Sequence, residues 1–204
     1  MISHSNIVCM YWKIIEQTDF QYKYQQNNPD FCENVVIEQQ EGAMAIGKFT
    51  HAIVSRVPKS FQNVPTLDGT CIDLEKAREQ HQYLVQVLRN LDLDVLELPP
   101  DEDNPFSVFV SDCAFIVNGI ALMCKPAGGK RQDDVNTIKA VLKKEVGVTC
   151  EEHNSNNAFI SGSDILFTGS EFFVGIGEET NTNGALGVAN TWPEYSCTPI
   201  QVSD

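Results

Sequence analysis

The strongest constraint on this chain is a pattern that returns about every 50 residues, reading strand, strand, helix, strand; such self-similarity marks a radial or stacked repeat. In the first pass Phe49 to Val54 reads as a strand, and Asp73 opens a helix whose Leu74, Ala77, His81, Leu84 and Leu88 share one face. Leu93 to Leu98 is the returning strand, stopped by Pro99-Pro100. The second pass starts with a strand at Val108-Phe109-Val110, continues through Ala114 to Val117, turns at Asn118-Gly119 and returns through Ile120 to Cys124. Asn-Gly between two apolar runs is the strongest short hairpin signal a sequence offers. A helix from Asp133 to Val146 follows, with Val135, Ile138, Val141 and Leu142 inward, acids in its first turn, lysines in its last and Gly147 as its cap. Val148 to Glu151 closes that pass as a strand. The third pass has strands at Asp164 to Phe167 and Phe172 to Ile176 around Thr168-Gly169-Ser170, then a helix across Gly184 to Thr191 weakened by Gly184 and Gly187, and a last strand at Thr198 to Val202. Such units cannot bury their faces alone, so an α/β fold held by unit-on-unit packing is predicted.

Composition narrows the partners. Lys plus Arg number 14 against 28 Asp plus Glu, a formal charge of -14, which argues against nucleic acid and against anionic membrane surfaces. The 7 cysteines are an odd number without a CxxC pair, so neither a disulfide framework nor a zinc site is expected, and reduced thiols in a cytoplasmic protein are. The apolar stretch Ile7 to Trp12 is too short for a signal segment or a membrane span. Residues 1–44 differ from the rest: Gln25 to Asp30 breaks any period, and the segment reads as a weakly ordered N-terminal extension, with Met44 as a second natural start. The folded domain is placed at 45–204.

Several tempting motifs fail. Gly128-Gly129-Lys130-Arg131 lacks the first glycine and the Ser or Thr of a phosphate loop. Gly175-Ile176-Gly177 lacks the third glycine of a dinucleotide fingerprint and follows a hairpin strand. Asp101-Glu102-Asp103 reads as a solvated loop rather than a calcium site. The histidines at 4, 51, 81 and 153 show no i, i+4 pairing, and His81 lies on an apolar helix face as a core histidine. No cofactor and no metal are expected.

Phe49-Thr50-His51-Ala52, Leu98-Pro99 with its acidic loop, Val108-Phe109-Val110 before Asp112, and Asp164-Ile165-Leu166-Phe167-Thr168-Gly169 through Glu171-Phe172-Phe173-Val174-Gly175 and Thr180-Asn181 resemble the dimethylarginine dimethylaminohydrolase family. The match runs in one register over about three quarters of the chain, from Gly47 to Val202. The resemblance implies a pentein fold, a five-bladed propeller of ββαβ units, of which about three would be present here as an incomplete propeller. It also implies the family reaction: a cysteine thiolate attacks the guanidinium carbon of an N-omega-methylated arginine, giving citrulline and a methylamine and relieving inhibition of nitric oxide synthase.

A resonance-flattened guanidinium is a poor electrophile, so the family holds it with carboxylates and clamps the substrate carboxylate with two arginines. Carried over position by position, the resemblance keeps Asp112 and Arg131 as substrate-binding residues. It finds Ser111 and Phe106 where acids are expected, Ser161 where a carboxylate precedes the third unit, and Glu179 where the second arginine belongs. The family's catalytic histidine and nucleophilic cysteine would fall beyond Asp204, so no catalytic residue is expected here.

Each retained residue also has a structural reading. Asp112 can be a buried acid satisfied by backbone donors, and Arg131 a surface ion pair beside the acidic helix start. Cys113 and Cys124 read as small buried hydrophobes, and Cys197 is no substitute nucleophile because no histidine follows it. Three functions remain open. The chain is an inactive family member, by truncation or decay; or an enzyme whose remaining units lie in sequence not given; or a non-catalytic module that self-associates or pairs with a full-length relative through its unfinished edge. A weakly held methylarginine-type molecule is the expected small ligand.

Overall fold

The computed structural model describes residues 49–66, 69–127, 131–153 and 157–202, together with the antiparallel backbone pairing of β1 (Phe20–Gln21) and β2 (Glu38–Gln39). The expected disorder of residues 1–44 otherwise lies outside the described residues. So do Gly128, Gly129 and Lys130.

The first unit is β3 (His51–Ser55), α1 (Leu74–Asn90) and β4 (Asp94–Leu98), with β3 parallel to β4 and His51 opposite Asp94. Its sheet has these two strands, one fewer than the repeat predicts. Asp73 starts α1 as foreseen, its carboxylate accepting the Lys76 backbone N–H at 3.1 Å. His81, Leu84, Val85 and Leu88 are buried, and the three apolar ones pack onto Ala52, Val54 and Leu93. Burial pushes the His81 imidazole below its usual pKa, as suits a neutral core histidine.

The second unit is β5 (Ala114–Val117), β6 (Ile120–Met123), α2 (Gln132–Val141) and β7 (Thr149–Glu152), in the sheet order β5-β6-β7. Asn118 (φ 52°) and Gly119 (φ 76°) are both left-handed, as the hairpin signal requires. Helix α2 ends five residues earlier than predicted and passes into a wider π turn, Leu142–Val146, before Gly147. Val108-Phe109-Val110 is not a strand. The Asn104 side chain accepts the Phe106 N–H at 3.1 Å and Pro105 fixes the first turn, so Pro105–Val108 and Val110–Asp112 wind as short 3-10 turns. That winding places Phe109 in a buried cluster with Val57, Phe61 and Val64.

The third unit is β8 (Ile165–Phe167), β9 (Glu171–Ile176), α3 (Thr182–Thr191) and β10 (Ser196–Gln201), in the order β8-β9-β10. Asn181 caps α3 by accepting the Gly184 N–H at 2.9 Å, so the helix begins two residues before the position read from sequence. Its glycines are packing residues rather than defects. A Cβ on Gly184 would lie 2.0 Å from the Phe159 carbonyl oxygen, and one on Gly187 1.9 Å from the His153 ring.

The units stack by one rule. Each sheet lays one face on its own helix and offers the other to the next unit. Ala52 and Val54 face α1, while Ile53 and Leu98 pack onto the cluster of Val135, Ile138 and Leu142 beneath α2. Ala121 and Met123 face α2, while Phe115, Val117 and Leu122 join Val188 and Trp192 of the third unit. Among the described residues no helix is long and apolar enough to cross a membrane.

Candidate functional site

Asp112 ends its 3-10 turn and Arg131 immediately precedes α2, and the two side chains meet. Arg131 Nη1 donates to Asp112 Oδ2 at 2.9 Å, Nε donates to Asp134 Oδ2 at 2.7 Å, and Nη2 donates to the Phe109 carbonyl at 2.8 Å and to Cys113 Sγ at 3.7 Å. Its side chain is only 12% exposed, which corrects the reading of a surface ion pair: this is a largely sequestered one. Burial opposes the cation, but Cys113, Asp112 and Asp134 together hold the guanidinium above its usual pKa.

The other oxygen of Asp112 is taken by the third unit. Ser163 Oγ donates to Oδ1 at 2.6 Å and Ser161 Oγ at 3.1 Å, so among the described residues the acid is satisfied by side chains and not by backbone donors. Gly162 makes this approach possible. A Cβ there would lie 2.1 Å from the Ser111 carbonyl oxygen and 2.9 Å from that of Ala114. Behind the serines, fully buried Thr180 accepts the Ser161 N–H at 3.0 Å and donates to Asp164 Oδ2 at 2.5 Å. Glu179 is its neighbour in the chain. Partial burial lifts the Glu179 carboxyl above its usual range, a bond from the Ala127 backbone opposes that, and the charges of Asp112 and Asp164 add to the rise.

The altered positions have structural fates. Phe106 lies 6.2 Å from Phe109, centroid to centroid, within the aromatic cluster, and Ser111 Oγ is buried without a hydrogen-bond partner. Cys113 and Cys197 are not poised for attack. Burial pushes Cys113 up to about 12 despite Arg131, and raises Cys197, whose Sγ contacts the Ala185 carbonyl at 3.7 Å. Cys113 and Cys124 are 1% and 2% exposed, the small buried hydrophobes that were expected. The structure therefore joins Asp112 to Arg131 and adds Asp134, Ser161, Ser163, Asp164 and Thr180, of which the Ser-Gly-Ser-Asp string and Thr180 were visible as motif positions. Chemically the corner holds a planar cation, the guanidinium of the chain's own Arg131.

No protein-family model matches the chain. The human protein named putative hydrolase DDAH2 is 35% identical over 161 residues, which is 78% of this chain and 56% of that protein. The N(G),N(G)-dimethylarginine dimethylaminohydrolase of Pseudomonas aeruginosa is 31% identical over 113 residues, 55% of this chain and 44% of that protein. The chain belongs to the dimethylarginine dimethylaminohydrolase family. Among solved family structures, a cysteine-to-serine mutant of the Pseudomonas aeruginosa protein complexed with citrulline superposes with a TM-score of 0.67 at 25% identity, covering 76% of this chain and 60% of that one. A dimethylarginine dimethylaminohydrolase adduct with S-methyl-L-thiocitrulline gives 0.70 at 25% identity, covering 77% and 63%. The N-terminal domain of the arginine dihydrolase ArgZ gives 0.64 at 19%, a likeness of fold. This family member spans about half the length of the curated relatives it matches.

Proposed function

We propose that this chain is a non-hydrolysing member of the dimethylarginine dimethylaminohydrolase family, whose described units keep part of a guanidinium-recognition corner but hold it occupied from within the chain. One observation carries the reading. Asp112, the acid the family pattern retains, is already bonded by Arg131, Ser161 and Ser163. The other sites of recognition have become Ser111, Phe106, Ser161 and Glu179, and a carboxylate at 179 repels a substrate carboxylate where a bidentate arginine would hold it. The free thiols of Cys71, Cys113, Cys124, Cys150 and Cys197 favour a reducing compartment, and we place the protein in the cytoplasm.

The test is citrulline release from asymmetric dimethylarginine by purified residues 1–204 beside a no-enzyme control. No release is expected, and calorimetry should give a dissociation constant weaker than about 1 mM. Turnover above the control, lost on mutating any one cysteine, would overturn the proposal, and so would micromolar affinity.

A second reading, pairing with a longer relative, has its own support. On the side of the third sheet turned away from α3, Leu166, Ile200 and Val202 are 39%, 47% and 55% exposed. Light scattering after size exclusion, on the chain mixed with such a relative, would show a complex if this reading holds.

A further inference from the structure

We propose that Asp112, Asp134 and the Phe109 carbonyl form a guanidinium receptor which the chain keeps shut with its own Arg131. The inference rests on the non-hydrolysing reading above and assigns that corner its regulation. Each edge of the Arg131 guanidinium meets a different acceptor: Nη1 the Asp112 carboxylate, Nε the Asp134 carboxylate, Nη2 the main-chain oxygen of Phe109. A rigid planar fork held on three sides, and 12% exposed, is bound as a ligand is bound rather than paired as a surface arginine is paired. The contrast is Arg89, whose side chain is 54% exposed and whose partner is the single carboxylate of Glu97.

The receptor is also built from behind. Asn104 Nδ2 donates to Asp134 Oδ2 at 2.7 Å, while Ser161 and Ser163 fix the far oxygen of Asp112 from the third unit. These donors orient both carboxylates with their free lone pairs toward the guanidinium. A tethered occupant competes at an effective concentration of millimolar or more. A free guanidinium must therefore exceed that concentration to displace it, even though the acceptors are arranged for such a cation.

The probe is methylguanidinium, which carries the cation alone and can yield no citrulline, so its binding is independent of turnover. The unaltered chain is expected to bind it weakly or not at all, Arg131→Ala at least about tenfold more tightly, and the double variant Arg131→Ala with Asp112→Asn no better than the unaltered chain, since a charge-assisted pair is worth about that factor. Equal binding by the unaltered chain and Arg131→Ala, or no binding by a folded Arg131→Ala, overturns the proposal. Should Arg131→Ala fail to fold, the side-chain Nε–H of Arg131 in the unaltered chain decides: NMR must find it exchanging with water far more slowly than that of Arg89. Equal exchange rates refute the shut receptor. Citrulline release by the unaltered chain would instead defeat the non-hydrolysing reading and leave these measurements standing.

Discussion

The second and third units share one topology and opposite surroundings. Both are a hairpin followed by a helix and a parallel third strand. The outward face of the second sheet, Phe115, Val117 and Leu122, is 8%, 7% and 1% exposed because α3 and its sheet lie on it. The third sheet offers Leu166, Ile200 and Val202 on the side away from α3, and nothing among the described residues covers them to the same degree. A repeat therefore fixes which side of a strand is apolar, while the neighbour decides whether that side contributes to stability. Burial of apolar area is worth about 25 cal/mol per Å², and it accrues only where a neighbour removes the water.

The largest test of that contrast is Trp192. It is fully buried, stacks on Phe172 at 5.0 Å, meets the edge of Phe115 at 6.3 Å and donates Nε1–H to the Val117 carbonyl at 3.4 Å. One side chain thus joins the second sheet to the third unit. Trp192→Ala should cost about 3–5 kcal/mol, a large share of the roughly 5–15 kcal/mol a domain holds. Urea unfolding should show the midpoint fall with little change in slope. A loss below about 1 kcal/mol would mean the two units are not stabilised through this contact.

A smaller effect, opposite in sign to what helix propensity alone suggests, is expected at Gly184. Alanine is about 1 kcal/mol the better helix former, yet its Cβ would meet the Phe159 carbonyl oxygen at 2.0 Å and Ile160 Cβ at 2.9 Å. Gly184→Ala should therefore destabilise by about 1–3 kcal/mol, read as a drop in thermal midpoint. A rise would show that α3 does not approach that segment. This glycine also illustrates what the sequence conveys and what it withholds. Local signals were legible: Asn118-Gly119 set the hairpin, Asp73 started α1, and Asp112 and Arg131 were both singled out. Long-range geometry was not. Nothing in the order of residues says that Arg131 turns onto Asp112, that Ser161 and Ser163 supply the donors to that acid, or that Gly162 and Gly184 are small because backbone passes beside them. Val108 to Val110 misled for a related reason, since three strand-forming side chains in a row say nothing of the Asn104 cap and Pro105 that wind the segment into turns.

The smallest effect belongs to the open face, and its value lies in being small. Ile200 is 47% exposed on β10, and its strand is already guarded as an edge: the Val202 N–H bonds the Ile176 carbonyl at 3.0 Å, so by alternation the nitrogen of Pro199 points to the free side, where it offers no donor. Ile200→Thr keeps a β-branched side chain in the strand and removes little buried area, so stability should change by no more than about 0.5 kcal/mol. The matched change on the covered face, Val117→Thr, places a hydroxyl where the side chain is 7% exposed and should cost about 1–3 kcal/mol. Denaturant midpoints of the two variants, measured together on the same chain, give the difference directly. If Ile200→Thr costs as much as Val117→Thr, the third sheet is covered in solution, and the contrast between the two units disappears.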